Sequence, residues 1–104
     1  MVPMIHAWDV YEIVSDAHSL HGVKLRGRIR KHSLESNIMC FVENASDKEN
    51  AVRFCSLTDS DPAQIINFIK KILPHATVIK VLTAVVNPVL SKLKVNDESR
   101  YEIP

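Results

Sequence analysis

The spacing of apolar side chains alternates between two periods along this chain, and that alternation limits the folds open to it. From Ala7 to about Asp16 the run Ala-Trp-Asp-Val-Tyr-Glu-Ile-Val-Ser-Asp is aromatic and β-branched, which predicts a strand. From Val23 to Ser36 the spacing becomes helical, with Leu25, Ile29 and Leu34 as an inner stripe and Arg26, Arg28, Arg30, Lys31 and Glu35 around the rest. Asn37 follows, a residue that tolerates the left-handed conformation just past a helix end. Met39 to Asn44 and Ala51 to Leu57 read as two strands joined by the polar loop Ala-Ser-Asp-Lys-Glu-Asn. Asp61-Pro62 then supplies an N-cap and a proline at the first helical position, and Ile65, Phe68, Ile69 and Ile72 fall at i, i+3, i+4 and i+7. Pro74 ends that helix. Thr77 to Val86 is a fourth strand, and a short last strand is expected near Arg100 to Ile103.

The expected fold is therefore α+β: a ferredoxin-like split βαβ sandwich, βαββαβ plus a short C-terminal strand. Its antiparallel sheet would carry both helices on one face. Alternation turns Cys40, Val42, Val52 and Phe54 inward and Phe41 outward, and it puts Cys40 and Cys55 on opposite faces, against a disulfide. Trp8 is expected in the core or at a sheet edge. Residues 1–6 read as an N-terminal tail and 7–104 as a single domain, since 104 residues lie below the length at which chains divide.

Composition removes several classes of function. With 46% hydrophobic and 24% charged residues the chain is neither disordered nor fibrous. Thirteen Lys and Arg against twelve Asp and Glu leave a net charge of +1, so nucleic-acid binding through bulk positive charge is not expected. No apolar run is long enough for a membrane span, and the start of the chain lacks the pattern of a signal peptide. Two cysteines are too few for a disulfide scaffold and lack metal-type spacing. These features lead to the expectation of a soluble, cytoplasmic monomer with no cofactor.

Candidate chemistry is sparse. No Ser-His-Asp arrangement, P-loop or dinucleotide fingerprint is present. His18 and His21 share a loop without the further ligands a metal site needs. Phe41 alone makes a thin platform for stacking RNA bases. The informative spot is the junction of the first strand and first helix. Gly22-Val23 opens the helix and Arg26 lies in its first turn. Unpaired N–H groups at a helix start attract anions, and a guanidinium adds a fork matched to phosphate oxygens.

From Gly22 to Asn44, the run Gly-Val-Lys-Leu-Arg-Gly-Arg-Ile-Arg-Lys-His-Ser-Leu-Glu-Ser-Asn-Ile-Met-Cys-Phe-Val-Glu-Asn resembles the acylphosphatase signature. That signature reads Gly-Val-x-aromatic-Arg, a helix, then Gly-Leu-x-Gly-Trp-Val-x-Asn. Gly22, Val23, Arg26, Val42 and Asn44 match without a gap. Leu25 stands where the family has an aromatic, Asn37-Ile38 replaces Gly-Leu, Cys40 replaces Gly and Phe41 replaces Trp. Ahead of the motif the family reads Gly-x-Val-Gln, where this chain has His18-Ser19-Leu20-His21. The end, Arg100-Tyr101-Glu102-Ile103, is similar to the family's final strand.

The resemblance implies metal-independent hydrolysis of carboxyl–phosphate anhydrides to a carboxylate and inorganic phosphate. It implies that Arg26 and the loop amides of His21, Gly22 and Val23 cradle the phosphoryl group, and that Asn44 orients the attacking water. The alternative is an acylphosphatase-like binding module of little or no turnover, whose basic helix face from Arg26 to Lys31 meets an acidic partner or an RNA backbone.

Overall fold

The computed structural model describes residues 6–17 and 19–93. They form β1 (Trp8–Val14), α1 (Leu25–Glu35), β2 (Cys40–Asn44), β3 (Ala51–Leu57), α2 (Ala63–Ile72) and β4 (Thr77–Val85). The four strands make one sheet in the order β2-β3-β1-β4, with every neighbouring pair antiparallel. β1 and β2 consequently run the same way with β3 between them, so α1 connects two parallel strands that do not touch. The architecture is α+β, a four-stranded antiparallel sheet with two helices, and it is compatible with the ferredoxin-like layout. The strand expected near Arg100 to Ile103 lies outside the described residues.

Alternation sets the two faces. Tyr11 opposes Phe54 and Ile13 opposes Val52, while Val42 opposes Phe54 from the other side. These side chains, with Cys40 and Val78, pack against Leu25 and Ile29 of α1 and Ile65 and Ile69 of α2. The rings of Tyr11 and Phe54 stack with centroids 5.0 Å apart. Both helices therefore bury their stripes on one face. The opposite face carries a smaller cluster of Val10, Cys55 and Leu90, flanked by Trp8 and Val85. Cys40 and Cys55 are free and lie on opposite faces, as alternation requires. Trp8 sits on a central strand rather than an edge, with its ring edge-on to Phe41 at 5.3 Å.

The helix ends follow local chemistry. Asp61 accepts the Ala63 N–H at 2.9 Å, and Pro62 precedes the first helical residue of α2. At the end of α1, Ile38 N–H donates to Ser33 O and Asn37 N–H to Leu34 O, with Asn37 at φ 56°. That is a Schellman closure, with Asn supplying the left-handed residue usually given to Gly. The start of α1 departs from expectation. Helix begins at Leu25 because residues 20–24 form a turn in which Lys24 adopts φ 56° and Leu25 N–H reaches back to Leu20 O at 3.1 Å. The inner stripe also differs: Ser33, bonded to Arg30 O at 2.9 Å, takes the buried position one turn after Ile29, and Leu34 is 72% exposed.

Gly27 sits inside α1 with nothing within 4 Å of where a Cβ would lie. Alanine fits the same helical backbone without a clash and removes the entropic penalty of glycine. Gly27→Ala is expected to stabilise the fold by about 1 kcal/mol, read as a rise of about 4–8 °C in Tm.

Candidate functional site

Three features expected at the site emerge from the same end of the sheet. β1 and β2 are parallel, so the loop after β1, the start of α1 and the last residue of β2 converge there. Arg26 is exposed in the first turn of α1, and its guanidinium makes no hydrogen bond or ion pair among the described residues. Asn44 is half-buried at the end of β2 on the helix side, in register with Val52. Its amide also has no partner among the described residues.

A groove of about 330 Å³ runs between α1 and β2, with Arg30, Ser33 and Leu34 on the helix wall and residues 40–43 on the strand wall. The helix and strand run in opposite directions. One turn from Arg30 toward the helix start, about 5.4 Å, leads to Arg26. Two residues onward from Val42, about 6.8 Å, lead to Asn44 on the same face. Neither Arg26 nor Asn44 lines the groove itself; their positions on α1 and β2 lie beyond it, toward the end of the sheet where β1 and β2 finish.

The loop between β1 and α1 has a different character from an open cradle. Gly22 N–H donates to Ser19 Oγ at 3.0 Å and Val23 N–H to Ser19 O at 3.2 Å. Lys24 N–H is taken by His21 O at 3.0 Å. Two of the three amides expected to hold phosphate are therefore bonded within the loop. A Cβ at Gly22 would lie 3.3 Å from the Ser19 side chain, a tight contact that Ser19 would have to relieve by a small shift. Ser19 takes up both of these amides, one through its hydroxyl and one through its carbonyl. His21 is exposed, and His18 lies outside the described residues.

Two further residues hold the loop, and the sequence reading passed over both. Leu20 is completely buried in the main core, a contribution of roughly 1.5–3 kcal/mol for such a side chain. Asn50, in the β2–β3 loop at φ 50°, accepts the Leu20 N–H at 2.8 Å and donates to Ser15 O at 2.9 Å. An asparagine closing a polar hairpin loop tolerates positive φ and carries both a donor and an acceptor, and that was the available signal.

A cavity of about 820 Å³, open to solvent, lies beside this staple, between Asp16, Ala17, Ser19 and His21 on one side and residues 45–50 on the other. Neither Arg26 nor Asn44 lines it. Asp16, Asp47 and Glu49 contribute to its walls, so its charge does not favour a phosphate. The two cysteines offer no nucleophile, since burial pushes both thiols up to about 12. Among the described residues, no group of three His, Cys, Asp or Glu could hold a metal ion, and no helix is long and apolar enough to cross a membrane.

Three carboxylates carry the fold's acid sensitivity. Burial works to raise Glu12, but hydrogen bonds and charge from Lys48 and Arg53 outweigh it and hold the carboxyl below its ordinary value. Burial likewise opposes the ionised form of Asp9, and the Ala84 amide, the Thr58 hydroxyl and Lys80 prevail over it. Asp47 is lowered by its hydrogen bond from Arg53. Carboxylates with lowered folded-state pKa stabilise the fold above their unfolded values and lose that contribution as pH falls through the folded ones. Denaturation midpoints are expected to decline progressively below about pH 4 on account of these groups. Neutralising Asp9 by Asp9→Asn should remove part of the decline.

No family model, curated protein or solved structure matches the chain.

Proposed function

We propose that this protein is an acylphosphatase, hydrolysing the phosphate anhydride of a carboxylic acid. The observation that carries the reading is that the topology brings Arg26, in the first turn of α1, and Asn44, the last residue of β2, to one end of the sheet, each with no competing partner among the described residues. The strand order, in which β3 separates the parallel β1 and β2, supports the ferredoxin-like framework that the motif implies.

In this mechanism Arg26 presents a planar fork of N–H donors to two phosphoryl oxygens and offsets their charge. Asn44 holds the attacking water through the donor and acceptor of its amide. The water oxygen attacks phosphorus as the P–O bond to the acyl group breaks, and the acyl carboxylate leaves with the bonding electrons. A phosphoryl oxygen takes the water proton, so the products are the carboxylate and inorganic phosphate. The carboxylate is a good leaving group, and the catalytic contribution is positioning and charge stabilisation. Gly22 and Val23 would exchange their bonds to Ser19 for bonds to phosphate oxygens on binding.

That exchange favours a second reading, a phosphate-binding module of slow turnover, because the bonds to Ser19 oppose opening of the cradle. Hydrolysis of benzoyl phosphate, assayed beside inhibition by inorganic phosphate, separates the two. Inhibitable turnover supports the enzyme, and phosphate binding without turnover supports the module. The free thiols on opposite faces suit a reducing compartment, so the reading includes a cytoplasmic location.

A further inference from the structure

Between Lys24 and Lys31, α1 and its preceding residue carry five cations and no acid. Lys24, Arg26, Arg28, Arg30 and Lys31 are all exposed, and among the described residues the one ion pair they form is Lys31 with Glu35 at 4.0 Å. This placement works against the helix itself. The N-terminal half of a helix carries the positive end of its dipole, where cations are unfavourable, and α1 has no acidic residue in its first turn. Like charges four residues apart, Lys24 with Arg28 and Arg26 with Arg30, add repulsion. One exposed acid, Glu35, follows the cations on α1, and other exposed acids, at Asp16, Asp47, Glu49, Asp59 and Asp61, lie off the helix. A chain of net charge +1 thus carries a local basic strip here, formed by five of its thirteen Lys and Arg.

At 3.6 residues per turn the cations fall into two rows. Lys24, Arg28 and Lys31 form the row toward α2, where Arg28 and Lys31 flank a groove shared with Phe68 and Ile72. Arg26 and Arg30 form the row toward β2. Between the rows lies Gly27, with open space above it, so the strip has a low floor and charged sides. From Lys24 to Lys31 the strip itself exposes no large apolar side chain; Leu34 lies beyond the cations and Phe41 across the groove on β2. A protein partner needs an apolar centre to its interface, and a bilayer needs apolar side chains to insert. Nucleic acid needs neither, because release of counterions from its phosphates supplies the affinity.

We propose that this face of α1 binds the phosphate backbone of nucleic acid without sequence preference. The surface is distinct from the action of Asn44, and Arg26 is its one shared residue. The test uses the full chain and a short fluorescent oligonucleotide, single-stranded or duplex, with affinity followed by anisotropy as salt is raised. Binding is expected at low salt, with log affinity falling against log salt at a slope of roughly −3.5 on a single strand if all five cations engage phosphate. The double variant Arg28→Gln/Lys31→Gln should bind at least about tenfold more weakly and lose roughly 1.4 from the slope. Its Tm should not fall, since it relieves repulsion, and benzoyl phosphate turnover should be unaffected, which separates this proposal from the enzymatic one. Absence of oligonucleotide binding at low salt overturns the proposal, as does equal binding by the double variant. Retention on phosphatidylserine vesicles without oligonucleotide binding also overturns it and assigns the face to membranes.

Discussion

Arg53→Met is expected to destabilise the fold by roughly 3–5 kcal/mol, the scale seen when one member of a buried ion pair is removed. Arg53 and Glu12 lie on adjacent central strands, directly opposite each other, with side chains only 1% and 4% exposed. Arg53 Nε and Nη2 each reach Glu12 Oε2 at 3.0 Å. Its Nη1 donates to Asp47 at 2.6 Å and to Leu90 O at 3.2 Å. The substitution leaves Glu12 buried with Lys48, at 2.7 Å, as its remaining partner, and it removes an anchor of the segment that covers this face. The penalty comes from an uncompensated buried charge more than from a lost attraction. Removing both charges should therefore cost much less. Urea denaturation of Arg53→Met, Glu12→Leu and the double variant checks this, and additive losses in the double variant would contradict it.

The second large effect divides between Arg26 and Asn44. Asn44→Ala is expected to lower turnover of benzoyl phosphate on the order of 10²-fold, because water loses its fixed position relative to phosphorus. Inhibition by inorganic phosphate should change little, since Asn44 holds the water and not the anion. Arg26→Ala should instead weaken phosphate inhibition by roughly 10–100-fold, the loss of one or two hydrogen bonds to a charged group. Measuring both constants for both variants reads the division directly. Equal losses of turnover and phosphate affinity in Asn44→Ala would remove the water-positioning role.

The order of elements was legible because the apolar period changes cleanly along the chain. Ile65 and Ile69 specify the buried side of α2, and β3 occupies Ala51–Leu57 as expected. Asn37 marks the closure of α1 with its own conformational preference. The start of α1 was less legible, because Leu20 looks like a loop residue until the fold buries it and draws residues 20–24 into a turn. Arg53 was missed for a related reason. Turning Val52 and Phe54 inward leaves Arg53 facing away from the helices, and strand alternation alone reads that face as solvated. Leu90, distant in sequence, covers this face and accepts a hydrogen bond from Arg53 through its carbonyl. Opposite charges embedded in two largely apolar strands, at Glu12 and Arg53, were the local sign of a buried pair.

At the site, the motif names Arg26 and Asn44, and the topology brings their elements to one end of the sheet. It does not disclose how the loop amides are used. Those bonds depend on Ser19 reaching Gly22 and on Asn50 reaching across from another loop, neither of which follows from spacing.

Turnover itself is the most direct measurement: hydrolysis of benzoyl phosphate by the purified chain in EDTA, followed beside Asn44→Ala. The account predicts wild-type hydrolysis well above both the spontaneous rate and the variant, with competitive inhibition by inorganic phosphate. A wild-type rate equal to that of Asn44→Ala would contradict it and leave Arg26 and Asn44 without a shared catalytic role.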